Sequence, residues 1–381
     1  LPILNFFKEA IVIVYKGEFN LGLTGKSEII GTIKILLFTS LISGTLGIIN
    51  GWLLSNCDFR FRKFLRICQL IPLAAPAYLI TAILQDLASI LGYQLTGIGW
   101  GTIILSISTY PYVFILTNES FNKFGVNQIN ASRSLGVGPW KSFFRIALPM
   151  ALPALATGIS LSCMEVMNEL GTFELLNIPS ISTGITESWN VDGNPTGAIG
   201  LSLFALLIVF TLITLEKFSR KRTKRWSESP SNSNSQGWKL NNFRSLFAIM
   251  ISTFPALFSL GIPIMWVLFN IDQLQRGLSS ELFILTLRTV MLGIIASLIA
   301  IVFSIIVSFA SRWNKSLFMR SITFASGIGY AIPGTVLAIS LLTLINSRFI
   351  LLPIVLLLWG YIDRFLTISK GSLDSGLERI S

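Results

Sequence analysis

Long apolar runs separated by short polar ones dominate the chain. Stretches of about 20 mostly apolar residues are long enough to cross a bilayer as a helix. They recur near 29–54, 67–91, 98–118, 151–177, 196–216, 245–270, 284–310, 321–345 and 351–367, which predicts nine membrane spans. Residues 8–28, with Lys8, Glu9, Lys16, Glu18, Lys26 and Glu28, read as a mixed-charge loop ahead of the first span.

The polar interruptions differ in sign. Arg60, Arg62, Lys63 and Arg66 follow the first run, and Lys123, Arg133, Lys141 and Arg145 follow the third. Lys217, Arg220, Lys221, Arg222, Lys224 and Arg225 follow the fifth, and Arg312, Lys315 and Arg320 the seventh. Between them lie poorly basic segments such as 178–195, with Glu187 and Asp192 and neither Lys nor Arg. Lys and Arg mark cytoplasmic loops, so the basic set is expected on the cytoplasmic side. Residues 226–242, W-S-E-S-P-S-N-S-N-S-Q-G-W-K-L-N-N, are Ser/Asn-rich and read as a flexible joint.

Composition agrees with a polytopic membrane protein. The chain has 381 residues, 52% hydrophobic and 12% charged, with mean hydropathy +0.71; soluble domains carry about 25% charged residues. The net charge of +11 then reads as a topology signal, and no nucleic-acid partner is expected. There is no histidine, and Cys57, Cys68 and Cys163 lack metal or disulfide spacing. No nucleophile–base constellation is visible, so neither a catalytic residue nor a cofactor bound by this chain is expected. Gly25-Lys26-Ser27 resembles the tail of a phosphate-binding loop, but position 20 is Asn where that motif needs Gly. Gly47-x-x-x-Gly51 and Gly97-x-x-x-Gly101 are spaced for close helix contact, a packing role.

The chain repeats itself. Thr32-Ile-Lys34 and Thr286-Leu-Arg288 open corresponding spans. Each is followed by a basic loop and then by A-A-P-A-Y-L-I at 74–80 or A-I-P-G-T-V-L at 331–337. Tyr112-Val113 and Tyr361-Ile362 begin later matching stretches. Both halves keep their basic loops on one side, so the repeat is parallel, with an expected six or so spans per half. This divides the chain into a first half at 1–216, a linker at 217–244 and a second half at 245–381. On this reading both ends are expected to be cut, the second half stopping before its own counterpart of the loop described next.

That loop is Asn130 to Pro149, N-A-S-R-S-L-G-V-G-P-W-K-S-F-F-R-I-A-L-P. Ala131 to Leu135 can hold a helical turn or two, and Gly136 sits where a helix end favours a left-handed residue. Pro139 suits the first position of a new helix, and the second piece is expected to stop near Leu148-Pro149. The spacing resembles the EAA loop of ABC-importer permeases. Ala131, Gly136, Ile146, Leu148 and Pro149 match it, while Asn130 and Ser132 depart from the usual Glu and Ala. The loop, at about 127–149, is then implied to seat in a groove of a partner ATPase through Asn130, Ala131, Ser132, Arg133 and Gly136.

With L-I-P-L-A-A-P-A-Y at 70–78, N-E-L-G-T-F-E-L-L at 168–176, G-Y-A-I-P-G-T-V-L-A at 329–338 and D-S-G-L-E-R-I-S at 374–381, the whole resembles the fused two-half permeases of ferric-iron ABC importers. Relatives of this layout carry thiamine or phosphonates, and both substrates stay open, as does an ATP-independent secondary transporter. The resemblance implies an all-α type I ABC-importer permease in a bacterial inner membrane. It also implies two copies of a cytoplasmic ATPase, which uses the ATP, and a periplasmic substrate-binding protein. Within the fourth run, Glu165, Asn168 and Glu169 are the candidates for the translocation path. Glu165 and Glu169 lie four apart and are expected on one helix face, where two carboxylates suit transient contact with a hard cation such as ferric ion.

Overall fold

The computed structural model describes residues 2–15, 24–124, 131–132, 134–224, 238–272, 279–314, 316–326, 329–345 and 353–377. Apart from two two-residue strands, regular structure among them is helical. Among the described residues six helices are long and apolar enough to cross a membrane, or seven if one sharply bent pair counts as a span. The chain forms two compact units, one of residues 23–183 with 210–269, the other of residues 1–22, 184–209 and 270–381.

In the first of these, α2 (Thr24–Asn56), α5 (Ile98–Phe124) and α6 (Pro139–Asn168) pack closely. Glycine makes the approach possible. A methyl group on Gly47 would lie 2.5 Å from Val113 Cβ, and one on Gly158 would lie 2.7 Å from Val113 Cα. Gly51 meets Thr117 in the same way at 2.6 Å, so Gly47-x-x-x-Gly51 does serve helix packing. Gly97, by contrast, lies outside the helix in a left-handed turn at φ 89°. Buried hydroxyls cross the three-helix contact. Ser162 Oγ donates to Thr109 Oγ1 at 2.7 Å and lies 3.3 Å from Ser43 Oγ.

The predicted span at 67–91 is broken. It consists of α3 (Arg62–Cys68), a 3-10 turn at Ile71–Ala74 and α4 (Ala77–Ile90), bent by 82°. Pro76 has no N–H to donate and holds Ala75 extended, at φ −108° and ψ 106°. Gln69 fills the break. Its Nε2 donates to the carbonyls of Leu65 (3.1 Å) and Ser252 (2.7 Å), and its Oε1 accepts from the Tyr110 hydroxyl (3.1 Å).

Two other expectations change here. Residues 2–15 form α1 (Pro2–Tyr15), and α2 already includes Gly25-Lys26-Ser27, so residues 8–15 and 24–28 are helix and not loop. The fourth run stops at Asn168 instead of reaching 177. α7 (Gly171–Leu175) and α8 (Ile181–Asn190) follow it.

α9 (Pro195–Lys224) continues the fifth run through Lys217. Residues 225–237 of the joint lie outside the described residues. β2 (Trp238–Lys239) pairs in parallel with β1 (Cys57–Asp58), and α10 (Asn242–Phe269) follows.

In the other unit, α11 (Ser280–Trp313) packs against α14 (Pro353–Leu377), where Ser369 Oγ donates to Ser304 Oγ at 2.8 Å. The eighth run is again no continuous span. α12 (Leu317–Ala325), a 3-10 turn at Gly329–Ala331 and α13 (Gly334–Ile345) succeed one another around Pro333. This is the same local build that surrounds Pro76. The ninth run is helical as α14, which carries Asp363, Arg364, Lys370 and Asp374. Lys370 and Asp374 pair at 2.8 Å.

Candidate functional site

Ala131 and Ser132 lie in a helical turn that closes around Gly136. The Leu135 N–H donates to the Ala131 carbonyl at 3.2 Å, and the Val137 N–H to the Ser132 carbonyl at 3.0 Å. A six-residue closure of this kind needs a left-handed residue after the helix end, and Gly136 supplies it at φ 73°. Gly138 is extended, and Pro139 opens α6 as expected. The hydroxyls of Ser132 and Ser142, both buried, lie 2.7 Å apart and tie the two pieces into an elbow. Ser132, a departure from the family pattern, thus has a structural use. Asn130 and Arg133 lie outside the described residues.

The expected stop at Leu148-Pro149 is absent. α6 runs through this point by widening into a π turn at Phe143–Ala147. The Leu148 N–H donates to the Phe143 carbonyl, five residues back. The hydrogen-bond register therefore shifts just before Pro149, which has no N–H to offer.

Phe143 and Ala147 face inward. The Phe143 ring lies 5.2 Å from Trp52, which in turn contacts Phe121 at 5.6 Å. Ile48, Cys57 and Ala151 complete the cluster, with Leu148 partly buried against it. The outward face is different. Leu135, Trp140 and Phe144 are exposed, with Trp140 stacked on Phe144 at 6.4 Å, and Lys141 and Arg145 are exposed among them. An apolar patch edged by cations suits a protein partner with an apolar, acidic groove.

The elbow rests on a platform built at the end of α2. Arg62 donates through Nε to the Leu54 carbonyl (2.9 Å) and through Nη2 to the Ser55 carbonyl (2.6 Å), and Arg66 also donates to Leu54. These guanidiniums satisfy carbonyls that a helix end leaves unpaired, and their charge complements its dipole. Leu240 N–H donates to the Asp58 carbonyl at 3.2 Å, while Trp238 and Leu240 pack against the Trp52–Phe143 cluster. Thus loop 57–66, the elbow and the end of the linker share one end of the bundle. No local sequence signal marks the docking of Trp238 and Leu240.

Glu169 lies at the far end of α6, about 45 Å of helix from Pro139 at ~1.5 Å per residue. It is not on a common helix face with Glu165. α6 ends at Asn168, and Glu169 is extended, at φ −75° and ψ 134°. Its Oε1 accepts from the backbone N–H (3.0 Å) and the hydroxyl (2.8 Å) of Thr172, so Glu169, just outside α7, caps that helix's first turn. Asn168 turns back, Nδ2 donating to the Met164 carbonyl at 3.0 Å. Glu165 is half-buried on the last turns of α6, and Glu174 is exposed on α7. The three acidic residues therefore gather towards one end instead of forming a ladder through the span. Among the described residues no group of three His, Cys, Asp or Glu side chains could hold a metal ion.

Residues 43–225 match the family described as binding-protein-dependent transport system inner membrane component. The match takes in α2 from Ser43 onward, the elbow and the whole of α6. Over 363 residues the chain is 21% identical to the Fe(3+)-transport system permease protein FbpB 2 of Haemophilus influenzae, covering 92% of this chain and 70% of that protein. It is 27% identical over 217 residues to the molybdenum transport system permease protein ModB of Escherichia coli, covering 51% of this chain and 94% of the relative. It is also 24% identical over 208 residues to a probable sulfate transport system permease protein of Chlorella vulgaris, covering 49% of this chain and 77% of the relative.

Proposed function

The chain belongs to the binding-protein-dependent inner membrane transport components, as a multi-pass ABC-importer permease of the type I fold, and from this we propose that its elbow is the point at which a cytoplasmic ATPase drives substrate passage. The observation that carries the reading is the elbow's two-sidedness. Phe143 and Ala147 root it in the bundle, while Leu135, Trp140, Phe144, Lys141 and Arg145 face outward. Phe143 and Ala147 touch residues of α2 and α5, so force applied to the outward face reaches those helices directly. Ala131, Ser132 and Gly136 shape the docking surface, and Ile146, Leu148 and Pro149 pass its motion along α6. Asn130 and Arg133 belong to the same surface on the sequence pattern. Two ATPase copies, one for each half, bind and hydrolyse the ATP, and this chain holds no cofactor of its own. The basic end is cytoplasmic, which puts Glu165, Glu169 and Glu174 towards the side where an external binding protein releases its cargo.

Ferric iron is the proposed cargo. The iron permease aligns with 92% of the chain, and the molybdenum and sulfate permeases with about half. Carboxylates at the outer end attract a cation and repel an oxyanion. The second reading, an oxyanion such as molybdate or sulfate, rests on those two partial relatives. The deciding experiment reconstitutes the complete importer in vesicles and follows ATP-dependent uptake of radiolabelled ferric iron, molybdate and sulfate. Iron uptake is expected. Uptake of an oxyanion in its place would overturn the cargo, and failure to co-purify with any ATPase subunit would overturn the coupling role.

A further inference from the structure

The described end of the linker does not hang free between the halves. Trp238 and Lys239 add a parallel strand to Cys57 and Asp58, in the register Cys57 with Trp238 and Asp58 with Lys239. Leu240 donates its N–H to Asp58 at 3.2 Å, and Trp238 and Leu240 pack onto the cluster that holds Phe143 and Ala147. A two-residue ladder is weak by itself, so the side-chain packing must supply most of the hold. Its position gives it meaning. One apolar cluster contains the root of the elbow (Phe143, Ala147), the end of α2 (Trp52, Cys57), the end of α5 (Phe121) and the linker (Trp238, Leu240).

We propose that Trp238 and Leu240 are positioning residues for coupling: they staple the linker to the root of the elbow, so that the elbow, α2 and the start of the second half move as one body. The proposal rests on the elbow being the ATPase contact. Without the staple, a push on the elbow would be absorbed by slippage in the Trp52–Phe143 cluster, and ATP would be hydrolysed with less transport. The consequence is a change in the ratio of substrate moved to ATP hydrolysed, which a general loss of fold would not produce while the ATPase remains bound.

The test uses the complete importer in vesicles. Leu240→Pro removes the N–H that reaches Asp58, and Trp238→Ala removes the packing without touching the backbone. Each is expected to lower transport per ATP several-fold while ATPase association persists. Asp58→Cys with Lys239→Cys, in a background carrying Cys57→Ala, places two thiols at partnered positions of the ladder, within disulfide reach. The disulfide is expected to form, to leave the transport ratio at the wild-type value, and to restore it when combined with Leu240→Pro. A wild-type ratio in both Leu240→Pro and Trp238→Ala would overturn the staple, as would transport lost on oxidation and regained on reduction. Disulfide yield reads the staple without any ATPase, so its absence is distinguishable from an elbow that binds no ATPase at all.

Discussion

Gly136 offers the sharpest test of the elbow, because its neighbourhood isolates one cause. Its φ is 73°, and a methyl group placed there would meet nothing within 4 Å. Substitution therefore costs backbone conformation and no packing. The left-handed region costs an L-residue about 1–2 kcal/mol, and a β-branched side chain such as Val belongs at the upper end of that range. At about 2 kcal/mol, Gly136→Val leaves roughly 30-fold fewer elbows in the docking shape, since about 1.4 kcal/mol is tenfold. Gly136→Asn should lose much less, because Asn visits this region readily. Gly138 is the internal control. It is exposed, two residues away, with open space around it and a φ of −70°, so Gly138→Ala should be neutral. The assay is affinity of the purified permease for its ATPase, with uptake measured in parallel. The expected order is wild type and Gly138→Ala together, then Gly136→Asn, then Gly136→Val. Equal affinity for Gly136→Val and wild type would refute the argument, and so would an equal loss at Gly138.

Other outcomes follow from the same contacts. Phe143→Ala should destabilise the protein by about 3–5 kcal/mol through the buried aromatic cluster, whereas Trp140→Ala should leave the melting temperature unchanged and weaken ATPase association; a swap of these effects would reverse the inward and outward faces. Gly158→Ala drives a methyl into the Val113 backbone and should cost about 1–3 kcal/mol, read as a lower Tm in detergent, while Gly293→Ala, with nothing within 4 Å, should melt like wild type. Glu169→Gln keeps an acceptor for Thr172 and should preserve stability while slowing iron uptake. Glu169→Ala should in addition lose the cap, at about 1 kcal/mol, and wild-type iron uptake in both variants would remove Glu169 from the cation path.

Features held by local chemistry were legible in the sequence. Gly136 and Pro139 fixed the turn of the elbow because one residue tolerates φ above zero and the other opens a helix. Gly47 and Gly51 foretold close helix contact for the same local reason. What misled was averaging over long apolar runs. The 67–91 run hides the Pro72–Pro76 break, and 321–345 hides the corresponding break at Pro333, because hydropathy is blind to backbone direction. Residue spacing alone puts Glu165 and Glu169 on one face, yet the helix ends between them, at Asn168. Glu169 is worth more as an acceptor for the Thr172 N–H and hydroxyl than as a further helical residue. Pro149 suggested a stop, and the π turn ahead of it removed the need for one. The docking of Trp238 and Leu240 on residues some 180 positions earlier has no local signature at all.

The π turn at Phe143–Ala147 has a counterpart at Leu257–Gly261, and each is followed two residues later by a proline, Pro149 and Pro263. Each such turn inserts a phase slip into its rod. One extra residue offsets the azimuth on either side by about 100°, the angle an α-helix covers per residue at 3.6 residues per turn. For α6 this uncouples two directions that a uniform helix would lock together: where Trp140 and Lys141 point, and which edge of Gly158 meets Val113. Closing the turn at 143–147 to plain α geometry with every residue kept would swing the outward-facing tryptophan about a quarter turn off its bearing, whereas deleting a single residue there would let a uniform helix keep both bearings.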